Sequence, residues 1–172
     1  NTTLNLLGSV TGTGKIIGDA ATANLVDKVT AALKLQGNFG GIDVSEKASA
    51  NNDVFYSASS LAGLINLGTH SVVIATNGTL TIASTATMTS SGAGAIIGTD
   101  ATSSVTDNSS DDMSFSGTFN NVILSGKADG SEASVFKGSS TISTLLQLGT
   151  NSAAVAADGG LLTLANGSTI TG

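Results

Sequence analysis

Residues 77–82 read Asn-Gly-Thr-Leu-Thr-Ile, a turn followed at once by alternating polar and apolar residues. Asn and Gly tolerate the positive φ angles of a tight hairpin turn, and alternation is the pattern of a strand with one buried face. The continuous apolar runs at 72–74 and 122–124 fit strands that are buried on both faces. Asp158-Gly159 is a second turn signal of the same kind. The sequence therefore predicts an all-β protein built of short strands.

An internal repeat is the strongest signal in the chain. A shift of 80 positions places Ile16-Ile17-Gly18 on Ile96-Ile97-Gly98, Asp27 on Asp107 and Lys47 on Lys127. Repeats of this kind indicate that one structural unit occurs more than once.

The aromatic residues follow the same repeat. Phe39 falls on Phe119, and Phe55 falls on Phe136 after one inserted residue. Because aromatic side chains bury a large apolar area, we expect these four rings to pack in the core at equivalent positions.

A short strand-like element occurs three times, at 4–12, 79–89 and 161–172, while the rest of the repeat occurs twice. We divide the chain accordingly into a terminal strand at 1–12, a first repeat at 13–92 and a second repeat at 93–172. The chain thus begins and ends on the same element. We expect that a second copy of the chain can supply the residues that would follow the last element.

Two architectures fit this pattern. One is a β-solenoid, in which coils of short strands stack on each other, and the other is a pair of tandem β-sandwich modules. The absence of Pro and the 22 Gly residues favour the solenoid, whereas several unlike strands within one repeat favour the sandwiches.

Residues 24–35 also fit a helix instead of strands. Leu25, Val29 and Leu33 have helical spacing, and they follow Asn24, which is a good helix cap. We expect at most one short helix there.

The phrases at 9–18 and 78–82 resemble the passenger domains of bacterial autotransporters and of filamentous-haemagglutinin-type adhesins. The resemblance covers about half of the chain. It implies a right-handed β-solenoid with an adhesive or surface role.

Composition and charge exclude several classes of function. The chain has a net charge of −6, and its 6 cationic side chains are all Lys. Nucleic-acid binding needs clustered cations, Arg above all, so we expect no such partner. No apolar run approaches the roughly 18 residues that span a bilayer.

The start, Asn1-Thr2-Thr3-Leu4, is neither a Met start nor a signal peptide. We expect it to be the mature end of an extracellular or cell-surface protein.

We find no catalytic constellation and expect a protein that is not an enzyme. His70 is the single His and follows Gly68-Thr69, as a polar turn residue does. Gly12-Thr13-Gly14-Lys15 lacks the spacing of a phosphate loop and is predicted to be a turn. A polysaccharide-cleaving solenoid would need clustered carboxylates beside Arg or Lys, and Arg is absent.

Polar residues offer weaker candidate sites. Asp107, Asp111 and Asp112 form an acidic run that could bind Ca²⁺, but the run lacks the Gly and the terminal Glu of an EF-hand loop. A solvated loop is the favoured interpretation, so calcium is the one candidate cofactor and no metal site is assigned.

Other polar residues are assigned to the surface. Asp53, Asp129 and Glu132 are scattered and are predicted only to solubilise the chain. Asn77 and Asn108 lie in Asn-x-Ser/Thr sequences within predicted turns and are candidate glycosylation sites.

These observations favour a structural, self-assembling subunit of an extracellular filament, fimbria or surface layer. An open strand edge is a template for another chain, and head-to-tail contacts that do not close produce filaments. The partner is then another copy of the chain, joined by donor-strand pairing. The predicted intersubunit residues are Leu4, Leu6, Val10, Leu162, Leu164 and Ile170. The alternative is a cell-surface adhesin or autotransporter-type passenger module that binds a host or neighbouring cell surface.

Overall fold

The computed structural model describes residues 1–127 and 133–172. It is a β-solenoid of about 8 turns, with 55% of the chain in strands and no helix in the described residues. Of the two expected architectures, the chain therefore adopts the solenoid. The strands are β1 (Thr2–Leu6), β2 (Ile16–Asp19), β3 (Ala23–Asp27), β4 (Lys34–Phe39), β5 (Gly41–Asp43), β6 (Asp53–Leu61), β7 (Leu64–Gly68), β8 (Val72–Ile74), β9 (Thr79–Ile82), β10 (Thr87–Ser90), β11 (Ile96–Thr99), β12 (Ser104–Asp107), β13 (Ser114–Ile123), β14 (Ala133–Gln147), β15 (Ser152–Val155), β16 (Leu161–Leu164) and β17 (Thr169–Thr171).

The strands pair in parallel with strands of the neighbouring coils. Ile16 pairs with Leu35, and Leu35 pairs with Phe55. Parallel strands need a long connection between them, and here the remainder of each coil provides it. Strands β1, β3, β5, β7 and β10 form a five-stranded sheet, and the others belong to a twelve-stranded sheet. The chain therefore stacks on itself in one direction.

The core runs along the inside of the stack, since alternate residues of each strand point inward. The ring of Phe39 packs edge-on against that of Phe55, with centroids 6.1 Å apart. In the second repeat, Phe115 lies between Phe119 and Phe136, at 6.1 and 5.9 Å. The four aromatic residues predicted to be equivalent core residues are fully or almost fully buried. That prediction is confirmed.

Pairs of glycines let successive coils approach closely. Gly37 has a φ of +94°, and a Cβ placed there would lie 2.3 Å from the carbonyl oxygen of Gly18. Gly117 repeats this arrangement with a φ of +87° and a distance of 2.4 Å to the oxygen of Gly98. The register of β4 and of β13 shifts next to these residues. Glycine is therefore required at both positions by conformation and by space.

The short helix that the spacing at 24–35 allowed does not form. Leu25 lies on β3, Leu33 immediately precedes β4, and Val29 lies in the corner between these strands. All three side chains are buried. Their spacing of four residues comes from a strand, a corner and a second strand that each direct one apolar residue into the core.

The predicted hairpins are also absent from the described residues. Asn77 and Gly159 do have positive φ angles, of 58° and 89°. They lie at corners where the chain turns within a coil, and the flanking strands pair with other coils instead of with each other.

Candidate functional site

The two end coils contain strands that are paired along one edge only. At the first end, β1 pairs with β3 and β2 pairs with β4. At the other end, β15, β16 and β17 all pair with segments of β14. Each of these strands has its second edge free within the described residues, so both ends can accept another strand.

Exposed apolar side chains concentrate in these end coils. They are Leu4, Leu7, Val10 and Ile17 at one end, and Val155, Leu161, Leu164 and Ile170 at the other. The remaining large apolar side chain that is strongly exposed in the described residues is Leu64, on the side wall of the solenoid. Grouped apolar exposure of this kind marks surfaces that bind other molecules.

The first end also opens into the core. A groove of about 470 Å³ lies there between β1, β2 and β3. Its walls include Leu4, Ile16, Ile17, Leu25 and Phe39. In the interior of the stack the preceding coil covers the corresponding space.

Strand β9 shows how such an end is covered inside the chain. It pairs with β6 on one edge and with β12 on the other. Its inward residues, Leu80 and Ile82, are completely buried. We call this region, where the first repeat passes into the second, the internal junction.

Strands β1 and β16 are the counterparts of β9. Leu4 pairs with Leu25 as Leu80 pairs with Val105. On the other side, β16 pairs with residues 139–142 as β9 pairs with residues 58–61. The three strand-like elements found in the sequence thus occupy equivalent positions in the stack. Within the described residues, β1 and β16 each have a paired strand on one edge only.

The predicted intersubunit residues all lie in these end coils. Leu6 and Leu162 are half-buried and pack against the core, whereas Leu4, Leu164 and Ile170 are exposed. Val10 is exposed in segment 7–15, which contains no strand. The structure therefore places the six residues in two sets, one at each end of the solenoid.

Side-chain hydrogen bonds reinforce the internal junction. Thr76 Oγ1 donates to Asp100 Oδ2 at 2.7 Å, and Ser103 Oγ donates to the carbonyl oxygen of Ala75 at 3.1 Å. Hydrogen bonds from Thr102, and then from Thr76, lower the pKa of Asp100 to about 2. At the first end of the solenoid the repeat places Ala20 and Ala23 at the positions of Asp100 and Ser103.

A buried ionic cluster lies inside the first repeat. The side chains of Lys47, Asp27 and Asp53 are all 0% exposed. Lys47 Nζ contacts Asp27 Oδ2 directly and donates to Asp53 Oδ1 at 2.9 Å and to the carbonyl oxygen of Ala31 at 2.6 Å. We call these three charged residues the Lys47 cluster.

Backbone amides hold the two carboxylates of the Lys47 cluster. The Val29 amide donates to Asp27 Oδ1 at 2.8 Å, and the Leu33 amide donates to Asp53 Oδ1 at 2.9 Å. Asp53 Oδ2 is buried with no hydrogen-bond partner among the described residues. Burial raises the pKa of Asp53 to about 6, against the opposing hydrogen bonds from Lys47 and Leu33.

The second repeat contains a related cluster around Lys127. Lys127 Nζ lies 3.1 Å from Asp107 Oδ2 and 2.5 Å from the carbonyl oxygen of Asp111. Ser134, the counterpart of Asp53, donates to Asp107 Oδ2 at 3.0 Å. A hydroxyl group therefore stands where the first repeat has its second carboxylate.

The charged residues of these clusters are visible in the sequence, but their burial was not predicted. The prediction that Asp53 only solubilises the chain is wrong, because Asp53 is completely buried beside Lys47. Asp129 and Glu132 lie outside the described residues. The repeat that placed Asp27 on Asp107 and Lys47 on Lys127 was the available signal, since a charge pair kept at equivalent positions indicates a shared contact.

The acidic residues considered as a calcium site lie in different environments. Asp107 is engaged with Lys127, while Asp111 accepts a hydrogen bond from the Met88 amide at 2.6 Å. Within residues 1–127 and 133–172 no group of three or more His, Asp or Glu side chains could hold a metal ion. Asp112 is exposed. The acidic run therefore does not converge on one point.

The two candidate glycosylation sites and the single histidine occupy corners. Asn77 is exposed at a corner, and Asn108 is half-buried with its Oδ1 close to Gly126. His70 lies in a turn, where its amide donates to the carbonyl oxygen of Leu67 at 2.9 Å.

No protein-family model, curated protein or solved structure matches the chain. Helices of the length and apolar character needed to cross a bilayer are absent from the part of the chain that the structure describes.

Proposed function

We propose that this chain is a structural, self-assembling subunit of an extracellular filament or surface layer, whose copies join head to tail through their end coils. The observation that carries the proposal is β9, which is paired on both edges while its counterparts β1 and β16 are each paired on one. Because all the strands stack in parallel, each added copy points in the same direction. Such contacts do not close and therefore extend into a filament.

The internal junction supplies the register of the proposed contact. Val73 of β8 pairs with Ile97 of β11 there. In the repeat, Val73 corresponds to Ala154 and Ile97 corresponds to Ile17. The equivalent pairing between two copies would therefore join Ala154 of one copy to Ile17 of the next. Ile17 is 61% exposed in the single chain, and the contact would cover it in part, as Ile97 is half-buried at the internal junction. Main-chain hydrogen bonds along this ladder would provide the affinity.

Residues 1–12 act as the donor segment. In the proposed contact they replace β16 and β17 on β14 of the neighbouring copy. The contact therefore requires that copy to release these two strands, and it buries Leu4 and Leu6 as Leu80 and Ile82 are buried. Segment 7–15 contains no strand in the single chain, and its apolar residue Val10 is exposed. A neighbouring copy supplies the partner that this segment lacks.

The proposed contact contains fewer side-chain hydrogen bonds than the internal junction. Ala20 and Ala23 stand where Asp100 and Ser103 bind the preceding coil. A net contribution of about 1 kcal/mol per hydrogen bond is typical. Assembly should therefore depend on protein concentration and should reverse on dilution.

Negative-stain electron microscopy and light scattering over a concentration series test this function. The full chain is expected to form ordered filaments or sheets. Val155→Lys places a charge in the proposed contact, where its counterpart Ile74 at the internal junction is completely buried. It should abolish assembly, because an unpaired charge cannot be buried cheaply.

The matched control is Leu64→Lys, since Leu64 is 50% exposed on the side wall and should tolerate the same change without losing assembly. Single chains at every concentration, or filaments that persist in Val155→Lys, would contradict the proposal.

The alternative proposal is a cell-surface adhesin or autotransporter-type passenger module. The solenoid fold supports it, because the sequence phrases at 9–18 and 78–82 resemble passengers of that architecture. This function requires saturable binding of a single chain to glycans or cells. Monomers in the microscopy experiment together with such binding would favour it over assembly.

A further inference from the structure

We propose that Lys47 and Asp27 condense within the folded chain to form an intramolecular amide bond between neighbouring coils, with Asp53 as the proton carrier. The inference rests on the Lys47 cluster and is independent of assembly. Asp27 lies on β3 and Lys47 follows β5, which is the strand paired with β3 in the next coil. The bond would therefore cross the stack inside the core.

The positions of the reacting groups support this reaction. Lys47 Nζ contacts Asp27 Oδ2, which is one bond from the carboxyl carbon that the amine would attack. Holding two reactants together in this way corresponds to effective molarities of about 10⁵–10⁸ M for well-oriented groups. The cluster is sealed from solvent, so water does not compete for the carboxyl carbon.

The protons and charges balance without any added reagent. The ammonium of Lys47 first transfers a proton to the Asp27 Oδ2 that it touches, which leaves a neutral amine and a neutral acid. The amine then attacks the Asp27 carboxyl carbon, and negative charge develops on Oδ1. The Val29 amide, 2.8 Å from that oxygen, stabilises the charge as an oxyanion-hole donor does.

Asp53 completes the proton transfer. Its Oδ1 is 2.9 Å from Lys47 Nζ, so it accepts the second proton from the nitrogen and passes it to Asp27 Oδ2, which leaves as water. The pKa of Asp53, raised to about 6 by burial, suits a group that gains and loses a proton near neutral pH. Asp53 therefore has the same protonation state after the reaction as before it.

The product also removes an electrostatic cost. Buried ions lose their hydration, and their mutual attraction repays this only in part. The three side chains carry one positive and two negative charges in their usual ionic forms, and condensation turns one ion pair into a neutral amide. The buried interior therefore favours the amide over the separated charges.

The Lys127 cluster is the natural comparison. It has the lysine and Asp107 in contact at 3.1 Å, with the amide of Ser109 2.9 Å from Asp107 Oδ1. At the position of Asp53 it has Ser134, whose hydroxyl does not accept a proton at neutral pH. We therefore expect an ordinary ion pair at Lys127 and an amide at Lys47.

Intact-mass spectrometry of the full purified chain tests the inference. The wild type should weigh less than its sequence by the mass of one water molecule, and tandem mass spectrometry should locate the loss in a branched peptide that joins Asp27 to Lys47. Asp53→Asn should show the full sequence mass while circular dichroism confirms its β structure. A wild type of full sequence mass would overturn the proposal.

Two further variants keep the test independent of folding defects. Asp27→Asn offers an amide with ammonia as its leaving group, so its product should have the same mass as the condensed wild type. Lys47→Met removes the nucleophile and should restore its full sequence mass. A water loss that persists in Lys47→Met arises from another position and would refute the assignment.

Ser134→Asp tests the role given to Asp53. It supplies the missing carboxylate to the Lys127 cluster and should produce the loss of a second water molecule, located between Lys127 and Asp107. If the wild type is condensed but Ser134→Asp loses only one water molecule, the assigned role of the second carboxylate is wrong.

Discussion

Strands β9 and β16 are counterparts in the repeat, yet one is buried and the other is exposed. Ile82 at the internal junction is 0% exposed, whereas Leu164, its counterpart in the last coil, is 38% exposed. The two strands rest on equivalent segments of the preceding coil. The difference comes from the coil that follows β9, because no following coil covers β16 within the described residues. In a stack of this kind, the contribution of a residue to the free energy of unfolding depends on the coils on both sides of it.

The largest effect is expected from shortening matched apolar side chains. Ile82→Ala should lower the free energy of unfolding by about 2–5 kcal/mol, the usual cost of truncating a buried aliphatic residue. Leu164→Ala should lower it by about 1 kcal/mol or less, because exposed positions are tolerant. Urea denaturation at concentrations below assembly provides the measurement. Equal losses at the two positions would contradict the comparison.

A smaller difference is expected between two glycines with positive φ. Gly117→Ala forces a Cβ to within 2.4 Å of the Gly98 carbonyl oxygen, so strain and overpacking should lower stability by about 2–3 kcal/mol. Gly12 has a φ of +116° but nothing within 4 Å of its Cβ position. Gly12→Ala should therefore lower stability by about 1–2 kcal/mol, the cost of the backbone strain alone. Thermal unfolding of the two variants would reveal whether the inner coils are the more constrained.

The smallest effect concerns the charge at the internal junction. The pKa of Asp100 is lowered to about 2 by hydrogen bonds from Thr102 and Thr76. A lowered carboxyl pKa contributes stability that is present above its ordinary value of 3.8 and is lost as the pH falls towards 2. Asp100→Ala, which copies Ala20 of the first end, should therefore be slightly less stable than the wild type at neutral pH.

The difference between wild type and Asp100→Ala should shrink as the pH falls from about 4 to 2. Denaturation at a series of pH values would measure it, and an NMR titration of the Asp100 carboxyl group would give its midpoint directly. A difference that grows on acidification would show that Asp100 does not stabilise the junction as its hydrogen bonds indicate.

Local patterns were sufficient to predict the strands and the equivalent core residues. Phe39 and Phe119, for example, could be paired from the repeat alone, because a ring kept at one position of a repeating unit has the same surroundings in each copy. The partner of each strand was not predictable in this way. Alternation shows that one face is buried, but it is the same for a hairpin and for a coil that pairs with the next coil.

The errors have related causes. Leu25, Val29 and Leu33 imitate helical spacing because a corner separates two inward-pointing strands, and corner geometry leaves no periodic signature. Asp53 was assigned to the surface because isolated acidic residues usually lie there. Its burial depends on Lys47, which reaches it from the corner after β5 through folding of the whole coil. Contacts of this type become visible only in three dimensions.

Parallel stacking also determines how the chain responds to being pulled. Paired residues lie between 17 and 25 positions apart, so each coil holds about twenty residues. A coil occupies about 4.8 Å along the axis, whereas the same residues fully extended span about 70 Å. Tension that peels the ladders from one end would lengthen the molecule more than tenfold for every coil released. A solenoid of this design is extensible, and it can absorb sudden stretching in discrete steps, one coil at a time.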